Sequence, residues 1–180
     1  YTLGHNLYVL TEEGKRMQVS QDGSVDIVYG EAVHSNEFGI DKGTFWSPDG
    51  KKLAFYRMDQ SMVTDYPQVD IPEIDYFNHS ETETCCAKPA PDKYPMTGET
   101  SHKVTVGVFD CMTGKTIYLK AGDPTDRYFT NIAWSPDNKV IYMFELNRDQ
   151  NDCRLTAYNA ETGEKTGELY RETDEKYVEQ

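Results

Sequence analysis

Apolar and polar residues alternate along most of this chain in short runs separated by turn residues, a pattern typical of β-strands that bury one face. The clearest runs are residues 104–110 and 155–159, and each continues through a Thr-Gly turn into a second run. Residues 6–19 contain a third hairpin of the same kind. We predict strands near residues 6–10, 15–19, 44–47, 52–58, 103–109, 115–119, 130–134, 139–146, 152–159 and 165–170, with pairing only between neighbours in a blade.

One strand-turn-strand unit occurs twice, first at Thr44–Tyr56 with the turn Trp-Ser-Pro-Asp-Gly and again at Ile132–Phe144 with the turn Trp-Ser-Pro-Asp-Asn. Proline restricts φ, and Gly or Asn accepts a positive φ, so both turns are tight. Each copy is followed by a Thr-Gly hairpin, which makes a repeating unit of four antiparallel strands. This repeat is the blade of a β-propeller, and it favours that fold over a β-sandwich of short hairpins.

The fold class predicted from these repeats is all-β. Residues 1–180 are interpreted as a fragment of one β-propeller domain, with about two to two and a half four-stranded antiparallel blades, one long insertion and a short helical turn. Residues 1–29 are assigned to the end of a blade, and 30–43 to a helical segment that fits no strand. Residues 44–120 form the next blade and residues 128–171 the blade after it.

The insertion lies within the blade of residues 44–120. In this blade the tryptophan before the Ser-Pro-Asp turn, Trp46, and the glycine of the Thr-Gly turn, Gly114, are 39 residues farther apart than their counterparts in the next blade. We therefore place an insertion at residues 59–103. The insertion is rich in proline and long enough to be functional. Its apolar residues are Met62, Val63, Tyr66, Val69, Ile71, Ile74, Tyr76 and Phe77.

Charge and motifs restrict the possible functions. Eighteen basic and 31 acidic residues give a net charge of −13, which argues against nucleic acid and anionic membranes as partners, and no apolar run is long enough to span a membrane. We interpret the excess of acidic residues in one of two ways. It keeps the protein soluble, or it creates an electrostatic field that attracts cationic ligands such as free amines.

Catalytic and metal-binding motifs are absent, so no catalytic residue, metal site or cofactor is predicted in this chain. The chain has no Cys-x-x-Cys pair, and Cys85 and Cys86 are adjacent, which makes a disulfide between them strained. The histidines are interpreted as scattered surface residues rather than ligands. They are His5, His34, His79 and His102.

The segment 30–43 contains the one local pattern that points to a site. Ser35 or Asn36 is a suitable N-cap for a short helical turn that holds Glu37. From the residues alone, Glu37 is interpreted as a carboxylate at a helix start, where the helix dipole favours it.

Residues 36–48 and 53–60, Asn-Glu-Phe-Gly-Ile-Asp-Lys-Gly-Thr-Phe-Trp-Ser-Pro and Leu-Ala-Phe-Tyr-Arg-Met-Asp-Gln, resemble the N-terminal propeller of the dipeptidyl peptidase IV family of serine peptidases. The likeness is greatest to the prolyl tripeptidyl peptidases of Bacteroidetes. Residues 94–98, Tyr-Pro-Met-Thr-Gly, resemble that family's Tyr-Pro-x-x-Gly, and the likeness covers essentially the whole chain. In that family an eight-bladed propeller caps an α/β-hydrolase domain.

The resemblance implies a role for Glu37 in substrate binding. A short propeller helix in the family carries two adjacent glutamates that bind the free α-amine of peptide substrates. The second glutamate corresponds to Glu37 and the first to Asn36, so one charge is lost. The loss leaves open whether dipeptides or tripeptides are released. Glu31 is a weaker candidate for the same role.

The resemblance also implies the function of the whole. The chain is expected to be the non-catalytic propeller part of a serine exopeptidase, a dipeptidyl or prolyl tripeptidyl aminopeptidase, and to help bind the free N-terminus of peptide substrates. Its other partner is its own C-terminal α/β-hydrolase domain, whose catalytic residues lie beyond Gln180, so this chain alone is expected to be inactive.

Relatives carry an arm that contributes to dimerisation at the place of the insertion, so residues 59–103 are expected either to contribute to a homodimer or to fold back on their own blade. An extracytoplasmic location, whether periplasmic, cell-surface or secreted, is expected from relatives. The alternative is a propeller that serves as a protein-interaction or sensor module with no peptidase role.

Overall fold

The structure is a computed structural model that describes residues 1–71 and 87–179. It divides into two compact units, one formed by residues 1–61 with 102–180 and the other by residues 62–101. The strands are β1 (Thr2–Leu3), β2 (Asn6–Leu10), β3 (Arg16–Gln18), β4 (Ile27–Tyr29), β5 (Thr44–Trp46), β6 (Lys52–Asp59), β7 (Asp65–Tyr66), β8 (Val69–Asp70), β9 (Lys88–Pro89), β10 (Asp92–Lys93), β11 (Lys103–Asp110), β12 (Lys115–Tyr118), β13 (Arg127–Trp134), β14 (Val140–Asn147), β15 (Asp152–Asn159) and β16 (Lys165–Thr173).

The larger unit consists of three antiparallel sheets. The first has the order β1-β2-β3, the second β4-β6-β11-β12 with β5 also paired to β6, and the third β13-β14-β15-β16. Pairing among the described strands of this unit stays within each of these three sheets, and the only helical element among the described residues is a single 3₁₀ turn at His34–Asn36. The predicted restriction of pairing to blades is wrong for the insertion, which forms two strand pairs of its own. The predicted all-β fold with about two and a half blades is confirmed.

The first strand of the second blade is split, so residues 27–29, which we assigned with residues 1–26 to the preceding blade, pair with the second blade instead. Strand β4 pairs with β6 at Val28 and Met58, and β5 pairs with the same strand at Phe45 and Ala54. Strand β6 has eight residues and β5 covers only its first half, so the edge near Asp59 stays open for β4. The segment 30–43 is therefore a loop within one strand position rather than a connection between blades.

The repeated Ser-Pro-Asp turns have the predicted geometry and also join the blades. Ser47 donates a hydrogen bond to Asp49 at 2.8 Å, and Ser135 makes the equivalent bond in the second copy at 2.6 Å. Gly50 and Asn138 occupy the same turn position with φ of 68° and 64°. The Asn138 side chain additionally accepts the backbone N–H of Asp49 at 3.0 Å, so the two turns contact each other across the blade junction.

The main core lies between the second and third sheets, where strand residues from both blades are buried together. Trp134 donates its indole N–H to the carbonyl of Phe45 at 2.9 Å, which joins the first strands of the two blades. The buried members of this core are Val33, Ile40, Ala54, Tyr56, Val104, Val106, Val108, Leu119, Phe129, Ile132, Ile141, Met143, Tyr158 and Ala160.

The smaller unit, residues 62–101, corresponds to the predicted insertion. It contains two antiparallel pairs, β7 with β10 and β8 with β9, and Lys93 forms an ion pair with Asp65 at 3.0 Å. Large apolar side chains on it are exposed, namely Tyr66, Val69, Ile71, Tyr94 and Met96. The predicted apolar residues Ile74, Tyr76 and Phe77, and the Cys85-Cys86 pair, lie outside the described residues.

No helix in the described part of the chain has the length and apolar character needed to cross a membrane.

Candidate functional site

The loop of residues 30–43 is closed tightly at its base. The N–H of Gly30 donates to the carbonyl of Tyr56 at 2.9 Å, and the N–H of Tyr56 donates to the carbonyl of Gly43 at 3.0 Å. A Cβ on Gly43 would lie 2.0 Å from the backbone oxygen of Glu31, so only glycine fits there. Both ends of the loop are therefore fixed to one residue of β6, in the manner of a compact Ω-loop.

Two apolar anchors bury the loop against the core. Val33 is 1% exposed and Ile40 is 4% exposed, and both belong to the main core. The six residues between these anchors must leave the core and return to it. This short span contains the candidate residues Asn36 and Glu37.

The helical turn at His34–Asn36 is left-handed, which corrects the predicted capped helix. His34, Ser35 and Asn36 have φ of 54°, 54° and 61°. Glu37 follows the turn with an extended backbone, φ −69° and ψ 168°, and no side chain caps the turn. The interpretation of Glu37 as a helix-start carboxylate is therefore wrong. Between its two anchors the chain reverses direction through residues with left-handed backbone, a conformation that Asn and His tolerate better than most residues.

Left-handed backbone at three successive non-glycine residues is strained. Each such residue costs on the order of 1–2 kcal/mol, so the conformation persists only where the surroundings fix it. Two hydrogen bonds within the turn help, from the N–H of Asn36 to the carbonyl of Val33 at 3.2 Å and from the N–H of Glu37 to the carbonyl of His34 at 3.0 Å. Strain of this kind is concentrated at functional sites, which makes the loop the strongest candidate site among the described residues.

The loop presents the predicted carboxylate and amide side by side and leaves the third candidate apart. Asn36 and Glu37 are adjacent and exposed midway along the loop, whereas Glu31 is exposed at its closed base. The Glu37 carboxylate makes no hydrogen bond or ion pair with the described residues, so its oxygens are available to a ligand. An unpaired carboxylate on a fixed backbone is suited to binding a cation through charge-assisted hydrogen bonds.

His34 is a residue that the sequence analysis misplaced at the surface. It is 6% exposed, and neither of its ring nitrogens has a hydrogen-bond partner among the described residues. Burial, with smaller contributions from the charges of His102 and Arg148, lowers the pKa of His34 to about 3. The imidazole is therefore neutral and acts as an aromatic ring of the core.

The ring of His34 packs against Tyr128 of the next blade. The two ring centroids are 5.0 Å apart with the planes nearly perpendicular, and Phe38 also lies 5.0 Å from Tyr128. An open cleft of about 600 Å³ begins beside Phe38 and Gly39, with residues 131, 150 and 177–179 as its other walls. The loop thus places Phe38, the residue after the exposed Glu37, in an aromatic cluster and at the edge of a cleft.

Metal ligands are not grouped in this region. Within residues 1–71 and 87–179, no three His, Cys, Asp or Glu side chains lie close enough together to hold a metal ion.

Comparison with known proteins gives consistent matches over the whole chain. Residues 1–180 match the family described as the dipeptidyl peptidase IV (DPP IV) N-terminal region. A relative from Talaromyces marneffei, "Probable dipeptidyl-aminopeptidase B", is 30% identical over 187 residues, which is 95% of this chain and 20% of the relative. The protein of the same name from Pyrenophora tritici-repentis is 27% identical over 186 residues, with the same shares covered.

Solved structures agree with these matches. A Bacteroides ovatus protein described as a "putative dipeptidyl aminopeptidase IV" is 53% identical, with a TM-score of 0.83 over 99% of this chain and 23% of that one. Porphyromonas gingivalis dipeptidyl peptidase 4 is 22% identical, with a TM-score of 0.81 over 98% of this chain and 24% of that one, and shows the same fold. This chain thus spans about a fifth of the relatives' length. It belongs to the family of the dipeptidyl peptidase IV N-terminal region.

Proposed function

We propose that this chain is the non-catalytic propeller part of a serine exopeptidase, a dipeptidyl or prolyl tripeptidyl aminopeptidase, and that its loop of residues 30–43 binds the free N-terminus of peptide substrates. The names of the relatives and the family match support the kind of parent enzyme. The observation that carries the substrate role is the Glu37 carboxylate, exposed and unpaired among the described residues on a strained, closed loop.

The chemistry of the substrate suits this carboxylate. A peptide α-amine has a pKa of about 7.7–8.0, so it is cationic at neutral pH and donates up to three hydrogen bonds. Glu37 accepts from it as a charged partner and the Asn36 amide oxygen accepts as a neutral one. Because the loop is already fixed, little conformational entropy is lost when the amine binds. The net charge of −13 favours approach of the cationic end of the peptide.

One charge at this position rather than two affects the length of the product. A single carboxylate holds the amine less rigidly than a pair, which is compatible with a substrate whose N-terminus lies farther from the nucleophile. We propose tripeptide release as well as dipeptide release for the parent on this basis. Glu31 lies at the base of the loop, and we assign to it only a weaker, longer-range electrostatic attraction for the substrate amine.

The test is substitution of Glu37 in the full-length enzyme. We expect Glu37→Gln to lower kcat/KM for free-amine substrates such as Ala-Ala-Pro and Gly-Pro chromogenic peptides. The loss of transition-state stabilisation should be about 2–4 kcal/mol, the scale for a charge-assisted contact that loses one partner. The same peptides with an acetylated N-terminus should change little, because they carry no charge for Glu37 to bind. Glu31→Gln is the matched control, with a small effect on both substrates. Equal losses on free and acetylated peptides would mean that Glu37 is a structural residue.

The remaining partners belong to the same proposal. The parent's own C-terminal α/β-hydrolase domain supplies the nucleophile, and the propeller supplies the amine site above it. The exposed apolar side chains of residues 62–101 are proposed to contact a second copy, because monomers rarely leave such groups in water. We also propose an extracytoplasmic location, periplasmic, cell-surface or secreted, which fractionation of the native organism would test.

A further inference from the structure

Glu37 lies between two residues whose rings are held by the same tyrosine of the neighbouring blade. The Tyr128 ring lies 5.0 Å from His34, nearly perpendicular to it, and 5.0 Å from Phe38, tilted by 41°. The rings of His34 and Phe38 also meet edge-on at 6.4 Å. We call His34, Phe38 and Tyr128 the ring cluster.

Tyr128 is itself well fixed. It lies on β13, opposite Leu146 in the pairing of β13 with β14, so its backbone belongs to the third sheet. The guanidinium of Arg148 lies 5.5 Å from the centre of its ring, in a cation–π contact. The N–H of Arg148 donates to the carbonyl of Asp126 at 3.0 Å, which keeps Arg148 beside this strand.

The turn at His34–Asn36 has backbone hydrogen bonds of its own but no side-chain cap. Its three residues have left-handed φ. Phe38 continues in the same strained region with φ of 57°. A backbone of this kind relaxes unless its surroundings hold it. Glu37 is joined to both ring residues, through the hydrogen bond from its N–H to the carbonyl of His34 at 3.0 Å and through the peptide bond to Phe38, so a backbone shift at either residue moves Glu37.

We propose that Tyr128 is a positioning residue for Glu37, which it acts on through His34 and Phe38 without touching the substrate. The inference rests on the proposed amine-binding role of Glu37. It adds that the depth of the amine site is set across the junction of two blades, by a residue 91 positions further along the chain.

Kinetics of the full-length enzyme separate this role from a general structural one. The Tyr128 hydroxyl makes no hydrogen bond with the described residues, so Tyr128→Phe keeps the ring and should leave kinetics within about twofold of the wild type. Tyr128→Leu removes the ring contacts and should raise KM for free-amine peptides by about tenfold with kcat nearly unchanged, as expected for loss of ground-state binding.

A double-mutant cycle with Glu37→Gln tests whether Tyr128 acts through Glu37. If it does, Tyr128→Leu costs nothing further once the carboxylate is gone, so the two effects are strongly non-additive. Additive losses would overturn the proposal, and so would a tenfold effect of Tyr128→Phe. Should Tyr128→Leu fail to fold, Phe38→Ala removes the contact from the loop side and must give the same non-additivity.

Hydrogen exchange of the same enzymes tests the positioning without reference to activity. Peptides covering residues 33–40 should exchange faster in Tyr128→Leu and at the wild-type rate in Tyr128→Phe. Unchanged exchange in Tyr128→Leu would overturn the proposal. If exchange rises but Glu37→Gln has no kinetic effect, Tyr128 still positions the loop and the amine-binding function is what fails.

Discussion

At the scale of single residues, His34 shows how burial changes the chemistry that a side chain offers. Its pKa of about 3 is lowered first by burial and then by the charges of His102 and Arg148, and both ring nitrogens lack partners among the described residues. A neutral imidazole without hydrogen bonds contributes as an aromatic ring. Its presence therefore makes the fold sensitive to acid, because a released or unfolded His34 takes up a proton that the folded form excludes.

The direction of this pH effect follows from the lowered pKa. The unfolded histidine has a pKa near 6.5, so His34 has no effect above that pH and destabilises the fold increasingly as pH falls from about 6.5 toward 3. The slope that one such proton adds is at most about 1.4 kcal/mol per pH unit.

We expect His34→Phe in the parent enzyme to reduce the fall of Tm between pH 7.5 and pH 5, since phenylalanine keeps the ring and cannot take up a proton. The same substitution at His5, an exposed histidine with a similar φ of 63°, is the control and should leave the slope as it is. Calorimetry of the three proteins measures it. Parallel Tm curves for His34→Phe and the wild type would show that His34 takes up no proton on unfolding in this range.

At the scale of elements, the loop of residues 30–43 depends on the close approach of its two ends. Gly43 has backbone atoms of Glu31 at 2.0–2.4 Å from where a Cβ would be, whereas Gly39 has none within 4 Å. Gly39 differs in having a positive φ of 68°. A side chain at Gly43 is therefore excluded by neighbouring atoms, whereas a side chain at Gly39 is disfavoured only by the backbone conformation.

We expect Gly43→Ala to destabilise the parent by more than about 3 kcal/mol or to open the loop, because backbone atoms cannot move aside cheaply. Gly39→Ala should cost only about 1–2 kcal/mol, the strain of one left-handed residue. Urea unfolding gives both values. Similar costs at the two positions would mean that the base of the loop is looser than its geometry implies.

The strands and the repeated turns were predictable because alternation, proline and glycine determine them locally. The split of the first strand into β4 and β5 was not, since three-residue strands have little pattern and depend on the open edge of β6. The left-handed turn was missed because buried Val33 and Ile40 set the path between them. The exposed pair Asn36 and Glu37 was located from the sequence, but Tyr128 was not, because only the folded chain brings it to the loop.

At the scale of the whole molecule, polar contacts join successive sheets. Tyr29 of the second sheet donates to Asp22 at 2.5 Å and accepts from Arg57 at 3.0 Å, which binds the segment connecting the first and second sheets to the second. Asn138 and Trp134 make the corresponding bonds between the second and third. Such directional contacts fix the angle between blades, while apolar packing supplies most of the stability.

We propose that the propeller binds the substrate amine and that the C-terminal domain supplies the nucleophile, so this chain alone is expected to have no peptidase activity. No activated nucleophile is assigned within it, so incubation of the purified chain with Gly-Pro or Ala-Ala-Pro chromogenic peptides should release no chromophore. Turnover above that of a mock purification, lost on treatment with a serine-directed inhibitor, would refute the assignment.

The exposed apolar groups of residues 62–101 predict the oligomeric state of the parent. Val69 and Ile71 are 64% and 71% exposed, and we expect their joint replacement by serine to shift a dimeric parent toward monomer in light scattering. Leu169→Ser is the matched control, an equally exposed apolar residue (59%) of the third blade. A double variant that stays as dimeric as the control would assign the interface elsewhere.

The closed base of the loop has a consequence for how such enzymes diversify. Because the chain leaves and re-enters the second blade at Tyr56, residues 31–42 behave as a cassette that can be exchanged without altering the strands on either side. If the loop binds the substrate amine as proposed, a cassette that presents its carboxylate at another depth would change the length of the peptide removed without any change in the catalytic residues. On the proposed amine-binding role, selection on product length could act on these dozen residues, provided that each new cassette is followed by Gly43 and keeps the two apolar anchors and a ring to rest on Tyr128.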